Sequence, residues 1–544
     1  MMFTSQILIG LLCVCIYLFF RRQKKGYATP LTGPPSQSII FGVSRYLNFP
    51  QVDSGEVFER WAKEYGSVYK IPNVLGGTKI IVCDPRAVKD FYTKETWTYV
   101  RTSLSKKLIE TSFGRGLLWA EGESHKRQRK GLTPAFSNAA IRRLTSVFYD
   151  SAYKLKSHWD ADLSNHPDGL VIDVQTWMNH ISIDSVGIAG FSHDFGALDG
   201  KHSPVVAAFE SLGSATPSGF STIVFLLSLV FPILTNIPRE RTRLFAQLTK
   251  SMTEIADVLL ERTRKAGAEE KSIIGLLIKA ESTNGELHMS QEEVLAQNVL
   301  LLAGYETTST SLTWALIELA KNPEKQVRLR KELLGLAGSS DPTWDQLTGT
   351  DYPYLDAVVH ETLRLHPPVA ETSRMATQDD ILPLSSPLTT ADGQIVNSVA
   401  IPKGSNVSVP IRCINRAEAI WGPRAKEFLP ERWIGFSEDE SKHAGDFKID
   451  WQKGAEAGEG IPPTVQEIHG HKHLLTFSDG PRTCLGKAFA LAEFKAVLSV
   501  LIRNYSFSFD DPNTKVITQL AVLPRPKVEG CDGTQVPMRV RRVE

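Results

Sequence analysis

Residues 477–486 read FSDGPRTCLG and place Cys484, one of six cysteines in the chain, between two glycines and close to an arginine. Gly480 and Gly486 allow a sharp turn and let the backbone approach a flat ligand, because neither residue carries a Cβ atom. The apolar run that follows predicts a helix, so Cys484 lies near a helix N-terminus. The partial positive charge there and the neighbouring Arg482 favour a thiolate, which is either a metal ligand or a nucleophile.

Three interpretations of this cysteine are open from the residues alone. A cysteine protease would pair the thiolate with a histidine base, and His469, His471 and His473 lie nearby in the sequence. The same histidines suggest a zinc site, although a histidine-rich loop without metal is the simpler explanation. The third interpretation is ligation of haem iron, in which the thiolate donates electron density that favours O–O bond cleavage.

A long helix is predicted further upstream. Ser290 and Glu293 match a capping box, and the apolar-rich run after them ends at residues 322–323, which gives about 30 residues or roughly 45 Å of helix. Within it, residues 303–309 read AGYETTS. A glycine weakens a helix interior by about 1 kcal/mol and threonines compete for backbone carbonyls, so the pattern predicts a locally loosened helix here.

This stretch has a structural and a functional interpretation. A glycine in a helix interior also permits a kink for close packing. Alternatively, Glu306 and Thr307 place an acid beside an alcohol on an opened turn, where they would hold water and pass protons.

An acidic and a basic residue share a helix face later in the chain. Glu361 and Arg364 are three residues apart in HETLRLHPP, and the prolines at 367–368 end the helix. Alone, this spacing is typical of an exposed surface pair. The apolar residues around it indicate partial burial, and a buried pair needs further partners, for which Arg432 in FLPERW is a candidate.

The first 36 residues resemble a membrane attachment. Residues 1–20 lack charge and are long enough to cross a bilayer as a helix, and four basic residues follow directly. A secretory signal peptide has the opposite charge order, so the pattern predicts an uncleaved transmembrane anchor with the basic residues on the cytosolic side. Residues 21–36 form a basic and proline-rich hinge.

The remaining residues, 37–544, are predicted to form one large domain. Helical periodicity dominates, while β-branched runs between 52 and 102 and between 378 and 412 indicate small sheets. The fold class is therefore mainly α with small β-sheets. The net charge of +1 gives no bulk electrostatic basis for a nucleic-acid partner, and the scattered cysteines indicate a reducing compartment.

Taken together, these motifs resemble those of a known protein family. The FSDGPRTCLG stretch is similar to the haem-binding signature of cytochrome P450, and the other motifs occur in that family's order: AGYETTS, then the Glu361 and Arg364 pair, then FLPERW, then the cysteine. The resemblance extends from the N-terminal segment to about residue 525. It implies the cytochrome P450 fold, with a single haem-binding domain behind a transmembrane helix.

The resemblance implies contacts with haem b, the iron protoporphyrin IX cofactor. Cys484 would be the axial ligand of the haem iron, Phe477 would pack near its sulfur, and Gly486 would let the backbone come close. Arg482 and Arg374 would each pair with a haem propionate. Ser478 stands where the family usually has glycine, a mild departure that leaves the ligand assignment intact.

The run HKRQRK, residues 125–130, contributes two further haem contacts by resemblance. His125 and Arg129 share a helix face and would both reach propionates, although many relatives have tryptophan where His125 stands. The run would also form a positive surface for an acidic, flavin-containing reductase, with Lys126 and Arg127 as the residues to test.

The other motifs supply the oxygen side and the scaffold by resemblance. Ala303 and Gly304 would line the oxygen groove, and Glu306 and Thr307 would deliver protons during oxygen activation. A structural triad is implied, formed by Glu361, Arg364 and Arg432.

These features lead to an expected function. The chain would be a haem-thiolate monooxygenase that inserts one oxygen atom from O₂ into a lipophilic substrate. Its electrons would come from NADPH through NADPH–cytochrome P450 reductase, with cytochrome b5 as a possible second partner, and it would be anchored by a single pass in the endoplasmic reticulum membrane with the catalytic domain in the cytosol. The substrate pocket is expected to draw on residues 101–118, 220–231, 300–303, 369–372 and 519–522.

The sequence pattern resembles filamentous-fungal members that act in terpenoid and other secondary metabolism. Hydroxylation of fatty acids, sterols or xenobiotics on the same fold is the alternative. A non-oxygenating isomerase or dehydratase of the same fold is a second alternative. Such enzymes do not need an acid and alcohol pair, so the presence of Glu306 and Thr307 argues against this function. The alternative that is not an enzyme is a membrane-anchored haem protein without turnover.

Overall fold

The computed structural model describes residues 28–214, 291–434 and 461–543, apart from short gaps at 39, 48–51, 202, 338–339 and 521–522, and a few isolated residues between 215 and 290. The anchor predicted at residues 1–20 and the first part of the predicted hinge, residues 21–27, lie outside the described residues, as does the pocket segment at 220–231 apart from Val224. Among the described helices, none combines the length and the apolar character needed to cross a bilayer.

Helices form most of the described structure. Several begin at side-chain caps: the Asp84 carboxylate accepts hydrogen bonds from the N–H groups of Arg86 and Ala87, and the Ser137 hydroxyl accepts one from Ala140. The helices are α1 Ser44–Leu47, α2 Ser54–Tyr65, α3 Pro85–Thr93, α4 Ser103–Phe113, α5 Gly122–Leu132, α6 Asn138–Leu163, α7 Val174–Phe191, α8 Pro204–Ser214, α9 Gln291–Leu295, α10 Val299–Lys321, α11 Pro323–Ala337, α12 Trp344–Thr348, α13 Pro353–Leu365, α14 Ile411–Ile414, α15 Glu418–Trp421 and α16 Lys487–Asn504.

Within the described residues, the strands form four small sheets. They are β1 Val68–Pro72, β2 Thr78–Val82, β3 Tyr99–Val100, β4 Leu170–Asp173, β5 Thr372–Ala376, β6 Asp380–Thr389, β7 Ile395–Ile401, β8 Asn406–Val409, β9 Tyr505–Ser508, β10 Val516–Leu520, β11 Pro524–Val528 and β12 Pro537–Arg542. The largest sheet has the order β1-β2-β8-β5-β3, with β2 and β8 parallel. A second sheet has the order β4-β12-β9, and β6-β7 and β10-β11 are hairpins.

A helical core occupies the centre of the molecule. Helices α6, α7, α10, α13 and α16 contribute most of its buried side chains, including the fully buried Trp159 and Phe148. Helix α10 packs so closely on α7 that a Cβ atom at Gly304 would lie 3.1 Å from a Val186 methyl group. The expectation of a mainly helical fold with small β-sheets is confirmed.

The weak point of the long helix is not where the sequence predicts it. Helix α10 runs unbroken through residues 303–309, and the Thr307 hydroxyl donates to the Ala303 carbonyl at 2.6 Å. The distortion is instead a 3₁₀ turn at Ala296–Asn298, between α9 and α10. The loop at Gly116 lies close against this turn, because a Cβ atom at Gly116 would be only 2.4 Å from the Ala296 carbonyl oxygen.

Candidate functional site

A cavity of about 600 Å³ lies between helices α5, α7, α10 and α16. Its walls are largely apolar, with Leu117, Val186, Leu300, Ala303 and Val369 among the lining residues. Three of the segments expected to form the pocket contribute to it: 101–118, 300–303 and 369–372. Cys484 opens onto this cavity from the loop before α16.

The cysteine loop is held by its backbone. The Cys484 N–H donates to the Phe477 carbonyl at 2.8 Å, which closes the loop into a compact turn. Gly480 has φ +63°, and a Cβ atom there would lie 2.3 Å from the Tyr92 carbonyl oxygen, so only glycine fits. Gly486 lines the cavity but has φ −84°, a conformation open to any residue. The expected need for glycine in the turn therefore applies to Gly480 alone.

The protonation of Cys484 differs from the expectation. Burial raises the pKa of its thiol above the ordinary value, and the Gly486 N–H and the charges of Arg129 and Lys487 only partly oppose this. Arg482, which the sequence suggested as the stabilising charge, is not among the groups that lower this pKa.

Four arginines lie at the cavity wall. Together with His125, Glu95 and Glu121, they form a group that we call the cavity cluster. The arginines are Arg101, Arg129, Arg374 and Arg482. Arg374 pairs with Glu95 at 2.8 Å, and Arg482 bonds Glu121 and the Ala120 carbonyl. Four guanidinium groups thus face two carboxylates, which leaves two positive charges in excess.

The cluster carries the electrostatic signs of a site for an anion. Burial, followed by the charges of Arg374 and Arg482, holds the pKa of Arg101 well below its ordinary value. Burial and nearby arginines lower the pKa of His125 to about 3, so this histidine is neutral. The buried Arg482 Nε atom has no hydrogen-bond partner within the described part of the chain.

The donor set fits a haem. The two propionates of haem match the two excess positive charges, and the Cys484 thiol, a group able to ligate haem iron, faces the same cavity. His125, Arg129, Arg374 and Arg482, all expected as cofactor contacts, line this cavity together. Arg101 was missed as a contact because it belongs to no motif, and its position after a short strand gives no local signal.

The acid and the alcohol of AGYETTS face different ways. Ala303, Gly304 and Thr307 line the cavity, but Glu306 does not. The Glu306 side chain is fully buried, and its Oε1 atom accepts from Arg525 Nε at 3.1 Å and from the Leu523 N–H at 3.2 Å. Thr307 is therefore the member of the pair that meets the cavity directly, while a proton role for Glu306 stays a prediction.

The structure brings Arg432 to the Glu361 and Arg364 pair, and all three side chains are fully buried. Arg364 donates to both Glu361 oxygens at 2.8 Å, and Arg432 Nε donates to Oε1 at 3.0 Å. Trp433 Nε1 donates to Oε2 at 2.9 Å. Burial alone would raise the pKa of Glu361, but the charges of Arg364 and Arg432 lower it to about 2.

The histidines near the cysteine make other contacts. His471 Nε2 lies 3.2 Å from His360 Nε2, and His473 Nδ1 lies 2.8 Å from the Ile468 carbonyl. No cluster of three metal-ligating side chains occurs in residues 28–214, 291–434 or 461–543. The zinc reading and the pairing of a nearby histidine with Cys484 gain no support from these contacts.

The basic run on α5 is divided between surface and interior. The Lys126 side chain is 74% exposed, whereas Arg127 forms a two-pronged ion pair with Glu293 of α9. Docking of a reductase on this surface stays a prediction, and Lys126 is the residue that tests it, since changing Arg127 would also break a link between two helices.

Fold and site together fit a haem protein with a cysteine at the cofactor cavity, and comparisons with known proteins agree. The family model for cytochrome P450 matches residues 34–531. The chain is 59% identical to cytochrome P450 monooxygenase claP of Ampulloclitocybe clavipes, over 98% of this chain and 99% of that protein. It is 52% identical to cytochrome P450 monooxygenase claW of the same fungus, and 32% identical to cytochrome P450 monooxygenase 205 of Postia placenta over 94% of this chain and 92% of that protein.

The chain therefore belongs to the cytochrome P450 family, and it is a monooxygenase. Membership implies haem as the cofactor, and the family generally uses a redox partner and a small-molecule substrate.

Proposed function

We propose that the chain oxidises a lipophilic small molecule by inserting one oxygen atom from O₂, with electrons delivered from NADPH by a partner reductase. The observation that carries this proposal is the apolar cavity onto which Cys484 and the cavity cluster open together. A bound haem supplies the redox centre and the activation of oxygen.

Each residue of the site has a part in this function. Cys484 Sγ would hold the haem iron, and Arg101, Arg129, Arg374 and Arg482 would hold the propionates. Thr307 Oγ1 donates to the Ala303 carbonyl at 2.6 Å, which orients the hydroxyl at the cavity wall, where it positions water and holds a proton. The ion pair with Arg525 must open before Glu306 could exchange a proton with the cavity.

The cellular setting is part of the proposal. Residues 1–20 anchor the chain in the endoplasmic reticulum membrane, 21–36 form the hinge, and 37–544 form the cytosolic catalytic domain. NADPH–cytochrome P450 reductase, with cytochrome b5 as a second donor, docks on the basic surface that includes Lys126. The support is the charge order after the apolar segment and the exposure of Lys126.

The proposed role is in fungal secondary metabolism, with a terpenoid as substrate. The apolar cavity wall and the similarity to fungal monooxygenases support this role. Oxidation of fatty acids, sterols or xenobiotics would suit the same wall.

The first experiment is replacement of Thr307 by alanine in the full-length holoenzyme, with reductase and NADPH. We expect product per NADPH consumed to fall roughly tenfold or more, with a matching release of peroxide, because the cavity loses its oriented hydroxyl. Thr313→Ala is the matched control, since Thr313 bonds Ser309 on the same helix at 2.8 Å but does not line the cavity.

Equal coupling in the two variants would contradict the role of Thr307. Labelled dioxygen tests the function itself, because a monooxygenase leaves one labelled atom in the product. A reduced protein without the carbon monoxide spectrum of a thiolate-bound haem would contradict the assignment of Cys484.

A further inference from the structure

Among the described residues that line the cavity, one carboxylate interrupts the apolar wall. Glu371 lies directly before β5 and lines the cavity together with Ser373. Its Oε1 atom accepts hydrogen bonds from Lys79 Nζ at 2.7 Å, from Ser373 Oγ at 2.9 Å and from Ser408 Oγ. These donors come from strands β2, β5 and β8, so the largest sheet fixes the position of this side chain.

All three donors bind the same oxygen. Within the described residues, the Oε2 atom of Glu371 has no hydrogen-bond partner, and it is not among the buried polar atoms that lack one. Oε2 is therefore not fully enclosed by protein, and it belongs to a residue that lines the cavity. By contrast, the structural carboxylate Glu361 uses both oxygens, because Trp433 and Arg364 bind Oε2 while Arg432 and Arg364 bind Oε1.

The charge of Glu371 is well defined. Burial would raise its pKa, but the charge of Lys79 and the hydrogen bonds from Lys79, Ser408 and Ser373 lower it below the ordinary value. The carboxylate is therefore ionised near neutral pH and accepts hydrogen bonds without donating any.

We propose that Glu371 Oε2 anchors a hydroxyl or N–H group of the substrate. This inference rests on the proposed function and narrows it, because an apolar cavity with one ionised acceptor selects a lipophilic molecule that carries a hydrogen-bond donor. A substrate with a carboxylate at this position would be repelled, since its charge would face that of Glu371. Lys79 does not reverse this selection, because its ammonium group is already held by Oε1 at 2.7 Å.

The test compares three probes with one lipophilic chain: farnesol, farnesyl methyl ether and farnesoic acid. Their affinities are measured by equilibrium dialysis against the full-length holoenzyme. We expect the wild-type protein to bind the alcohol roughly tenfold more tightly than the ether or the acid, because a hydrogen bond to a charged acceptor is lost with either. In Glu371→Ala the alcohol and the ether should bind equally.

Two further variants make the test specific. Ser408→Ala removes a donor to Oε1 but leaves Oε2 in place, and since Ser408 does not line the cavity, the preference for alcohol should persist. The double variant Lys79→Met with Glu371→Leu leaves no unpaired charge at the wall, so it should fold where the single change fails, and it should lose the preference.

A wild-type holoenzyme that does not prefer the alcohol to the ether would overturn the anchor, as would a preference that survives loss of Glu371. The carbon monoxide spectrum is recorded first on each protein. A wild-type protein without the carbon monoxide spectrum of a thiolate-bound haem would count against the proposed function. A normal spectrum without preference for the alcohol would count against the anchor alone.

Discussion

The protein contains two groups of buried charges, the Glu361 triad and the cavity cluster, and their hydrogen bonding differs. In the Glu361 triad, formed by Glu361, Arg364 and Arg432, both carboxylate oxygens are bonded, and Arg364 also donates to the carbonyls of Asn415 and Ala425 at 2.9 and 2.6 Å. In the cavity cluster, four arginines face two glutamates and border an open space.

The difference separates scaffold from binding site. A buried charge whose partners all come from the protein stabilises one arrangement of the chain, and removing any partner leaves the rest uncompensated. A buried group with excess charge of one sign is completed only by a ligand, so removing one of its members reduces binding more than stability. Replacements in the two groups should therefore give opposite patterns of stability and haem affinity.

The largest effect is expected from Glu361→Ala. The change leaves Arg364 and Arg432 buried without their shared carboxylate, so the free energy of unfolding should fall by about 3–5 kcal/mol, and little folded holoenzyme should form. Denaturant unfolding measures this loss. Glu427→Ala is the control nearby, because Glu427 forms an exposed pair with Arg424 and should change stability by only about 0–1 kcal/mol.

Similar stabilities for the Glu361 and Glu427 variants would remove the distinction between a closed triad and an ordinary ion pair.

The second effect is a pH dependence of the same triad. The pKa of Glu361 is lowered to about 2, so its contribution is fully present above about pH 4.5 and is lost as the pH falls through about 2. The stability advantage of wild type over Glu361→Gln should therefore shrink on acidification, by about 3 kcal/mol in total. Unfolding curves at pH 6, 4 and 3 follow it, and an advantage that grows with acid would show the sign to be wrong.

A smaller effect is expected in the cavity cluster, where a replacement should lower haem affinity and leave stability intact. Arg129→Leu removes one excess positive charge, and Arg129 has no hydrogen-bonded carboxylate within the described chain. The stability of the apoprotein should stay unchanged or rise, whereas haem affinity should fall roughly tenfold, because one charge-assisted contact to a propionate is lost. Haem transfer to apomyoglobin measures the affinity.

Loss of apoprotein stability in Arg129→Leu, with haem affinity unchanged, would place Arg129 with the scaffold and not with the site.

The smallest effect concerns the cysteine loop, residues 477–486. Ser478 has φ +61° and ψ −170°, a conformation that glycine adopts freely and other residues adopt with strain. Ser478→Gly should therefore raise the free energy of unfolding by about 1 kcal/mol, measured in denaturant. Ser478→Ala keeps the strain and loses only the hydroxyl, so an equal gain in both variants would contradict this cause.

Some of these features could be predicted from the sequence because they are local. The turn around Cys484, the helix after it and the shared face of Glu361 and Arg364 depend on neighbours in the chain. The departure at Ser478 was also visible, but its backbone strain required the structure.

Other features depend on distant segments and left no local signal. Arg101 and Arg482 are brought together with Glu121 from separate parts of the chain. The distortion of the long helix was predicted at residues 303–309 from composition, yet it lies at Ala296–Asn298, where Gly116 approaches from a distant segment. Likewise, only the contact with Arg525 shows that Glu306 turns away from the cavity.

The sheet β4-β12-β9 has a consequence for synthesis on the ribosome. Strand β4 leads directly into α7, and the Val174 N–H donates to the Val536 carbonyl, while Val536 N–H donates to Asp173 across 363 residues of chain. At 5–20 residues per second, β4 waits roughly 20 to 70 s for this partner. Throughout that interval its unpaired edge can bind another nascent chain, so the yield of folded protein should depend on how well chaperones cover this one strand.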